Sequence, residues 1–228
     1  MIKKDIRAAE LYKTMFTVAI PIVIQNLIGN SLTIVDTVMI SSLGEASVAA
    51  VGIAGRLQFL FVLITFGFYS GAGIFMAQYF GSRNFERMRV TMALQLVLGI
   101  MSSAVFMTVA LVFPRWYMSI FSKDPQVIEL GIGYLKYLGW GFGMHAISYA
   151  YIVSLRSIRD SLYPMYVSAI ALIANTVLNY GLIFGNFGLP QLGVEGAAIA
   201  TTISRFIEAG FMIYSVYFGS RFVLRAKL

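Results

Sequence analysis

The sequence predicts an all-α membrane protein of six transmembrane helices, and three observations carry that prediction. Of the 228 residues, 59% are hydrophobic and only 12% charged, whereas a soluble domain is about 25% charged. The few charges are spaced so that six long apolar runs lie between them, each with the roughly 20 residues a helix needs to cross a bilayer. Basic residues gather between alternate runs, as they do on the cytoplasmic side of a membrane protein. A water-soluble globular domain and a disordered chain are both excluded. So is a transmembrane β-barrel, whose strands would alternate over about ten residues.

The runs follow in order. Between Lys13 and Ile40 the only charge is Asp36, and between Val51 and Gly81 it is Arg56. Val90 to Pro114 holds none, Gly131 to Leu155 holds Lys136, and Ser161 to Val194 again holds none. Gly196 to Ser220 holds Arg205 and Glu208. Helices are therefore expected near 14–40, 51–79, 90–114, 132–155, 162–185 and 195–218. The third to fifth runs are apolar all round, as lipid-facing or bundled helices are. The expected organisation is a cytoplasmic N-terminus over 1–13, a six-helix lobe over 14–218, and a cytoplasmic tail over 219–228.

Orientation follows from twelve basic residues on one side: Lys3, Lys4, Arg7, Lys13, Arg83, Arg87, Arg89, Arg156, Arg159, Arg221, Arg225 and Lys227. The opposite loops hold only Arg115 and Lys123. Both termini are therefore expected in the cytoplasm, and the bias excludes a dual-topology protein. The first run is long, contains Asp36 and lacks a small-residue cleavage site after it, so it reads as a retained helix rather than a signal peptide. In a soluble chain the net charge of +7 would raise nucleic acid as a partner; here the charges mark span ends, and none is expected. The chain has no cysteine and one histidine, which removes disulfides, thiol chemistry and a zinc or iron site. No phosphate-cradling glycine motif and no nucleophile–base pair is present, so neither ATP-driven transport nor an enzyme is expected.

An acid within a span costs about 2.5–3.5 kcal/mol on insertion scales and marks a functional position. Asp36 lies about four residues from the outer end of its helix, roughly 6 Å deep at 1.5 Å per residue. At 100° per residue Asn26, Asn30, Thr33 and Thr37 share one stripe, with Asp36 at its edge beside Gln25. Such a stripe faces a cavity or another helix, not lipid. In the fifth run Asn175 and Asn179, four residues apart, share a face, and Thr201 in the sixth falls at a similar depth. One carboxylate with amide and hydroxyl oxygens suits a small hard cation. Burial disfavours the charged form of a carboxyl, so the same set could instead take up a proton.

Simpler roles stand beside these. Asn and Thr hydrogen-bond between membrane helices for about 0.6 kcal/mol with no transport role. Arg56 could neutralise Asp36 as a structural ion pair. His145 reads as a neutral, hydrogen-bonded packing residue ahead of a proton relay. Arg205 and Glu208, at i,i+3, are expected to pair. Gly67, Gly71 and Gly73 form a small-residue face suited to helix packing. Pro21, about fifteen residues before Asp36, is either a hinge or a passive bend.

Several segments together resemble the MATE (multidrug and toxic compound extrusion) family of transporters. They are AIPIVIQNLIGNSLTIVDTVMISSLGEASVAAVG, GAGIFMAQYFGSRN, LRSIRDSLYPM (with Ser157 where the family usually has glycine), NTVLNYGLIFG and LGVEGAAIATTISR. Five such segments in family order make the resemblance specific. It implies multidrug efflux by secondary antiport in the cytoplasmic (inner) membrane, with amphipathic or cationic organic compounds leaving in exchange for H⁺ or Na⁺ and no cofactor beyond the coupling ion. It implies a cation site at Asp36, Asn175, Asn179 and Thr201; beside it the polar stripe of Gln25, Asn26, Asn30 and Thr33 is the candidate substrate cavity and Pro21 the candidate hinge. The family often has an acid where Asn179 stands, which lowers the charge of the site here. The family has twelve helices in two lobes and this chain matches the first. The expectation is a fragment, its tail opening a linker to a second six-helix lobe, or else a half that pairs with another. The alternative is a lipid-linked precursor flippase on a related fold, which would need cationic side chains in its cavity; a membrane scaffold without transport is a further rival.

Overall fold

The structure, a computed structural model, describes residues 8–219 and Leu224. The basic residues Lys3, Lys4, Arg7, Arg221, Arg225 and Lys227 lie outside the described residues, so the expected inner-side charge cluster is visible only in part.

Seven α-helices and one short 3₁₀ turn, and no strand, are present among the described residues. They are α1 (Ala8–Ser41), α2 (Glu45–Gly81), α3 (Phe85–Val112), α4 (Pro114–Phe121), α5 (Pro125–Ser157), α6 (Leu162–Phe184) and α7 (Gly193–Tyr217), with the 3₁₀ turn at Asn186–Gly188. The six apolar runs correspond to α1, α2, α3, α5, α6 and α7. The seventh helix, α4, is eight residues long and was not expected. It starts where Pro114, at its first turn, can no longer extend α3 but supplies the φ that a new helix needs. α1 also begins at Ala8, earlier than the charge pattern suggested.

Five helices are long and apolar enough to cross a membrane: α1 from Met15, α2, α3, α6 and α7. α5 has the length, at 33 residues, but not the composition. Its glycines and tyrosines (Gly131, Gly133, Tyr134, Tyr137, Gly139, Gly141, Gly143) lower its hydropathy. The reason is its position: α5 packs against α2, α3, α4 and α7, so its surroundings are protein rather than lipid. Its small residues let neighbours come close. A methyl on Gly139 would stand 2.8 Å from Leu111 and one on Gly131 2.1 Å from Met118.

Local chemistry starts and stops the helices. Asn84 caps α3 by accepting from the Arg87 N–H at 3.2 Å, and Asp124 caps α5 by accepting from the Gln126 N–H at 2.8 Å, each satisfying an orphan donor of the first turn. α6 ends at Gly185 with φ 76°, a left-handed conformation that glycine adopts at little steric cost. Two apolar clusters hold the bundle. One gathers Phe61, Leu135, Phe142, Met118 and Ala110 around α2, α3, α4 and α5; the other gathers Tyr69, Met76, Met88, Met92, Leu155 and Met212. Large apolar side chains such as Phe66, Ile74, Leu94 and Val105 are exposed outside the cavity, as on a lipid-facing surface.

The glycine face of α2 is narrower than expected. Added methyls on Gly67 and Gly71 would meet nothing within 4 Å, while one on Gly73 would stand 2.9 Å from Val153. Only Gly73 is a close packing point, and Ser157 Oγ donates to its carbonyl at 3.0 Å.

Candidate functional site

α1 is held to the bundle mainly through α6, and the two helices run parallel with matched register: Asp36 meets Asn179, and eleven residues earlier Gln25 meets Ser168. Eleven residues are about three turns, so each helix returns to the same face. Beside this seam lies a cavity of about 910 Å³, lined from α1, α2, α5, α6 and α7.

Toward the C-terminal end of α1 the four residues of the expected cation site come together. The Asn179 amide donates to Asp36 Oδ1 and to Asn175 Oδ1, the latter at 3.0 Å, and Asn175 donates to Thr201 Oγ1 at 3.4 Å. Both N–H donors of Asn179 are thus engaged, while its Oδ1 is buried without a partner in the structure. Asp36 and Thr201 line the cavity, whereas Asn175 and Asn179 are fully buried behind them. The buried pair therefore fixes the carboxylate rather than meeting a bulky ligand. Among the described residues no group of three His, Cys, Asp or Glu side chains converges; the oxygen set here has a single carboxylate.

Gln25, Asn26, Asn30 and Thr33 all line the same cavity, as the helical stripe implied. The hydroxyls of Thr33 and Thr37 bond back to their own helix, at Gly29 O and Thr33 O, while the amide of Gln25 is engaged by Arg156 and Ser168. Pro21 is buried inside α1, which continues through it.

Arg56 forms no pair with Asp36: its guanidinium lies 5.2 Å from the ring centre of Phe121, because α2 turns it toward α4. His145 packs between Phe61 and Tyr149, parallel to the latter within 8°, and neither of its buried nitrogens has a partner in the structure. The hydrogen bond expected for it is not made; it borders the cavity instead. Arg205 and Glu208 do pair, at 3.1 Å, but toward the cavity rather than toward the membrane surface, with Glu208 only 4% exposed.

Sequence reasoning missed Arg156 and Ser168. Arg156 sat among the loop charges, yet it lines the cavity and donates to Gln25 Oε1 at 2.7 Å. Ser168 accepts from Gln25 at 2.9 Å. The eleven-residue spacing from Asn179 was the available signal for it. Arg156 had none, because its side chain reaches into the bundle from the last turn of α5.

The MatE family model matches residues 21–181. The chain is 28% identical over 212 residues to the probable multidrug resistance protein YoeA of Bacillus subtilis (strain 168), covering 92% of this chain and 45% of that protein. To the multidrug resistance protein NorM of Burkholderia vietnamiensis it is 30% identical over 209 residues, covering 90% and 44%. Among solved structures, an outward-facing multidrug resistance MATE family transporter of the MOP superfamily matches with a TM-score of 0.85 at 22% identity, covering 95% of this chain and 47% of that one. The Vibrio cholerae MATE transporter VcmN in its bent form matches at 0.83 and 22%, covering 93% and 48%. The chain spans about half the length of the relatives it matches.

Proposed function

The chain belongs to the MatE family, and from that premise we propose that it forms one six-helix lobe of a multidrug antiporter. On this reading all six long helices, α5 included, cross the cytoplasmic membrane with both termini inside. Amphipathic or cationic organic compounds leave as H⁺ or Na⁺ enters, and a second six-helix lobe supplies the other wall of the transport cleft. Residues 1–13 and 219–228 are the cytoplasmic flanks, the latter opening the linker to that lobe. The curated relatives bear multidrug resistance names, which supports export of small molecules. The solved relatives are transporters rather than enzymes.

The observation that carries the coupling role is the hydrogen-bonded set in which Asn179 donates both to Asp36 and to Asn175, and Asn175 donates to Thr201. Asp36 is a carboxylate at the cavity wall, and the unpartnered Asn179 Oδ1 beside it is an acceptor waiting for a positive partner. A proton on Asp36, or Na⁺ held by Asp36, Asn175, Asn179 and Thr201, would neutralise the carboxylate and weaken its hold on a cationic cargo. The amides of Gln25, Asn26 and Asn30, with Thr33, give the cargo a polar surface, and Pro21 serves as the hinge that lets α1 respond. No cofactor beyond the coupling ion enters this scheme. A lipid-linked pyrophosphate gains no support, because the cavity's Arg156 and Arg205 are matched by Asp36 and Glu208.

The test is drug efflux from liposomes containing the complete two-lobe protein under imposed pH or Na⁺ gradients. Asp36→Asn is expected to abolish gradient-driven efflux. Unchanged efflux in that variant would overturn the coupling role.

A further inference from the structure

Three turns along α1 from Asp36 a second polar chain crosses the cavity, and the coupling scheme makes no use of most of it. Arg156 of α5 donates to Gln25 Oε1 at 2.7 Å, and Gln25 of α1 donates to Ser168 Oγ at 2.9 Å. Ser168 of α6 donates to Glu208 Oε1 at 3.0 Å, and Arg205 of α7 donates to Glu208 Oε2 at 3.1 Å. Four helices are joined by one string of side chains, and every link is directional.

α1 has little else to hold it. Among its residues with described side chains only Pro21, Gln25 and Ile40 are buried. Helices in lipid gain no hydrophobic driving force from association, so packing and interhelical hydrogen bonds decide whether they stay together. The outer half of α1 has Asp36 on Asn179; the half nearer its N-terminus has Gln25 alone, gripped by Arg156 on one side and Ser168 on the other. Ser168 accepts from Gln25 while its own O–H donates to Glu208, and Arg205 holds that carboxylate in place. Glu208 is therefore the anchor of a string whose far end is α1.

We propose that Glu208 is a positioning residue that, through Ser168 and Gln25, latches the N-terminal half of α1 onto α5, α6 and α7 and so sets access to that end of the cavity. Its role in access rests on the transport reading; the latch itself does not. Release of the string frees the inner half of α1 while the Asp36–Asn179 contact keeps the outer half docked.

The chain has no cysteine of its own, so paired spin labels can report this directly. One pair, Thr17→Cys with Leu162→Cys, spans the inner ends of α1 and α6; a second, Val38→Cys with Tyr180→Cys, spans the outer ends. In the protein in liposomes, Glu208→Leu and Gln25→Leu are expected to lengthen and broaden the inner distance and leave the outer one unchanged. Glu208→Gln, which still offers Ser168 an acceptor, is expected to keep the unmutated inner distance. Ser168→Ala, which removes one hydroxyl, serves if Glu208→Leu fails to fold. An inner distance unaltered in Gln25→Leu and Ser168→Ala overturns the latch, as does a Glu208→Gln variant as loose as Glu208→Leu. The distances are read without drug or gradient. Absence of efflux by the complete unmutated two-lobe protein would therefore sink the transport reading while a lengthened inner distance still upheld the latch.

Discussion

The side-chain amide of Asn179 donates to Asp36 across 143 residues of sequence, and Gln25 donates to Ser168 across the same offset. Two parallel helices are thus joined at two rungs, eleven residues apart on each. The rung at Asp36 carries the carboxylate of the candidate cation site. The rung at Gln25 carries no charge itself but connects to Glu208 and Arg205. The predictions below separate what these rungs do from what merely holds the bundle together.

Asn179→Ala removes the donor that fixes Asp36. A hydrogen bond to a charged group contributes about 1.5–3 kcal/mol, and each 1.4 kcal/mol is about tenfold in affinity. Because that donor favours the charged carboxylate, its loss is expected to lower the H⁺ concentration giving half-maximal efflux by roughly ten- to a hundredfold in the liposome assay, whereas coupling to Na⁺ would need more Na⁺ because the Asn179 oxygen is lost. A shift of less than about twofold would show that Asn179 is a packing residue only.

Asn179→Asp tests the single-carboxylate character of the site in the opposite direction. It places a second acid against Asp36, and a hard cation binds more tightly as anionic oxygens are added. Stimulation of efflux by Na⁺ is expected to strengthen, with half-saturation at lower Na⁺. If the Na⁺ response is the same in both forms, these oxygens do not hold the ion.

Two glycines on different helices should respond with opposite signs. A methyl on Gly196 would stand 2.5 Å from the carbonyl oxygen of Leu182, a backbone atom that cannot rotate away. Gly196→Ala is expected to destabilise by about 1–3 kcal/mol or more, as overpacking does. Gly71→Ala meets nothing within 4 Å and should gain the helix propensity that glycine lacks, about 0.5–1 kcal/mol. Melting temperatures in detergent, lower for the first and equal or higher for the second, check both.

The ion pair of Arg115 with Glu129 joins α4 to α5 at the surface, with side chains 67% and 60% exposed. Pairs so open to water contribute roughly 0–1 kcal/mol. Arg115→Ala should leave both melting temperature and efflux close to those of the unmutated protein; a large loss of either would give α4 a role beyond covering the core.

The expected site was legible because its parts lie on regular helices. Asp36 stood out as an acid in an apolar run. Asn175 and Asn179 declared one face by their spacing, and depth counted from the loops brought Thr201 level with them. Arg156 and Ser168 escaped that logic. An arginine at a helix end reads as a topology marker, and a lone serine in an apolar helix reads as packing, until neighbouring helices are set around them. Gly67 and Gly71 erred the other way: their spacing suggested a packing face, but only Gly73 is turned toward α5.

The sequence by itself determined that this chain is an all-α membrane protein of long apolar helices, and which family it resembles. Those properties follow from hydropathy, charge placement and local spacing, which act along the chain. Only the tertiary structure decided that α1 and α6 run parallel in register, that Asn175 and Asn179 stand behind Asp36 rather than in the cavity, and that Arg205 and Glu208 turn inward to meet Ser168. These depend on the rotation of each helix about its own axis. That rotation is settled by contacts between residues more than a hundred positions apart, such as Gln25 with Arg156, where no local pattern reaches.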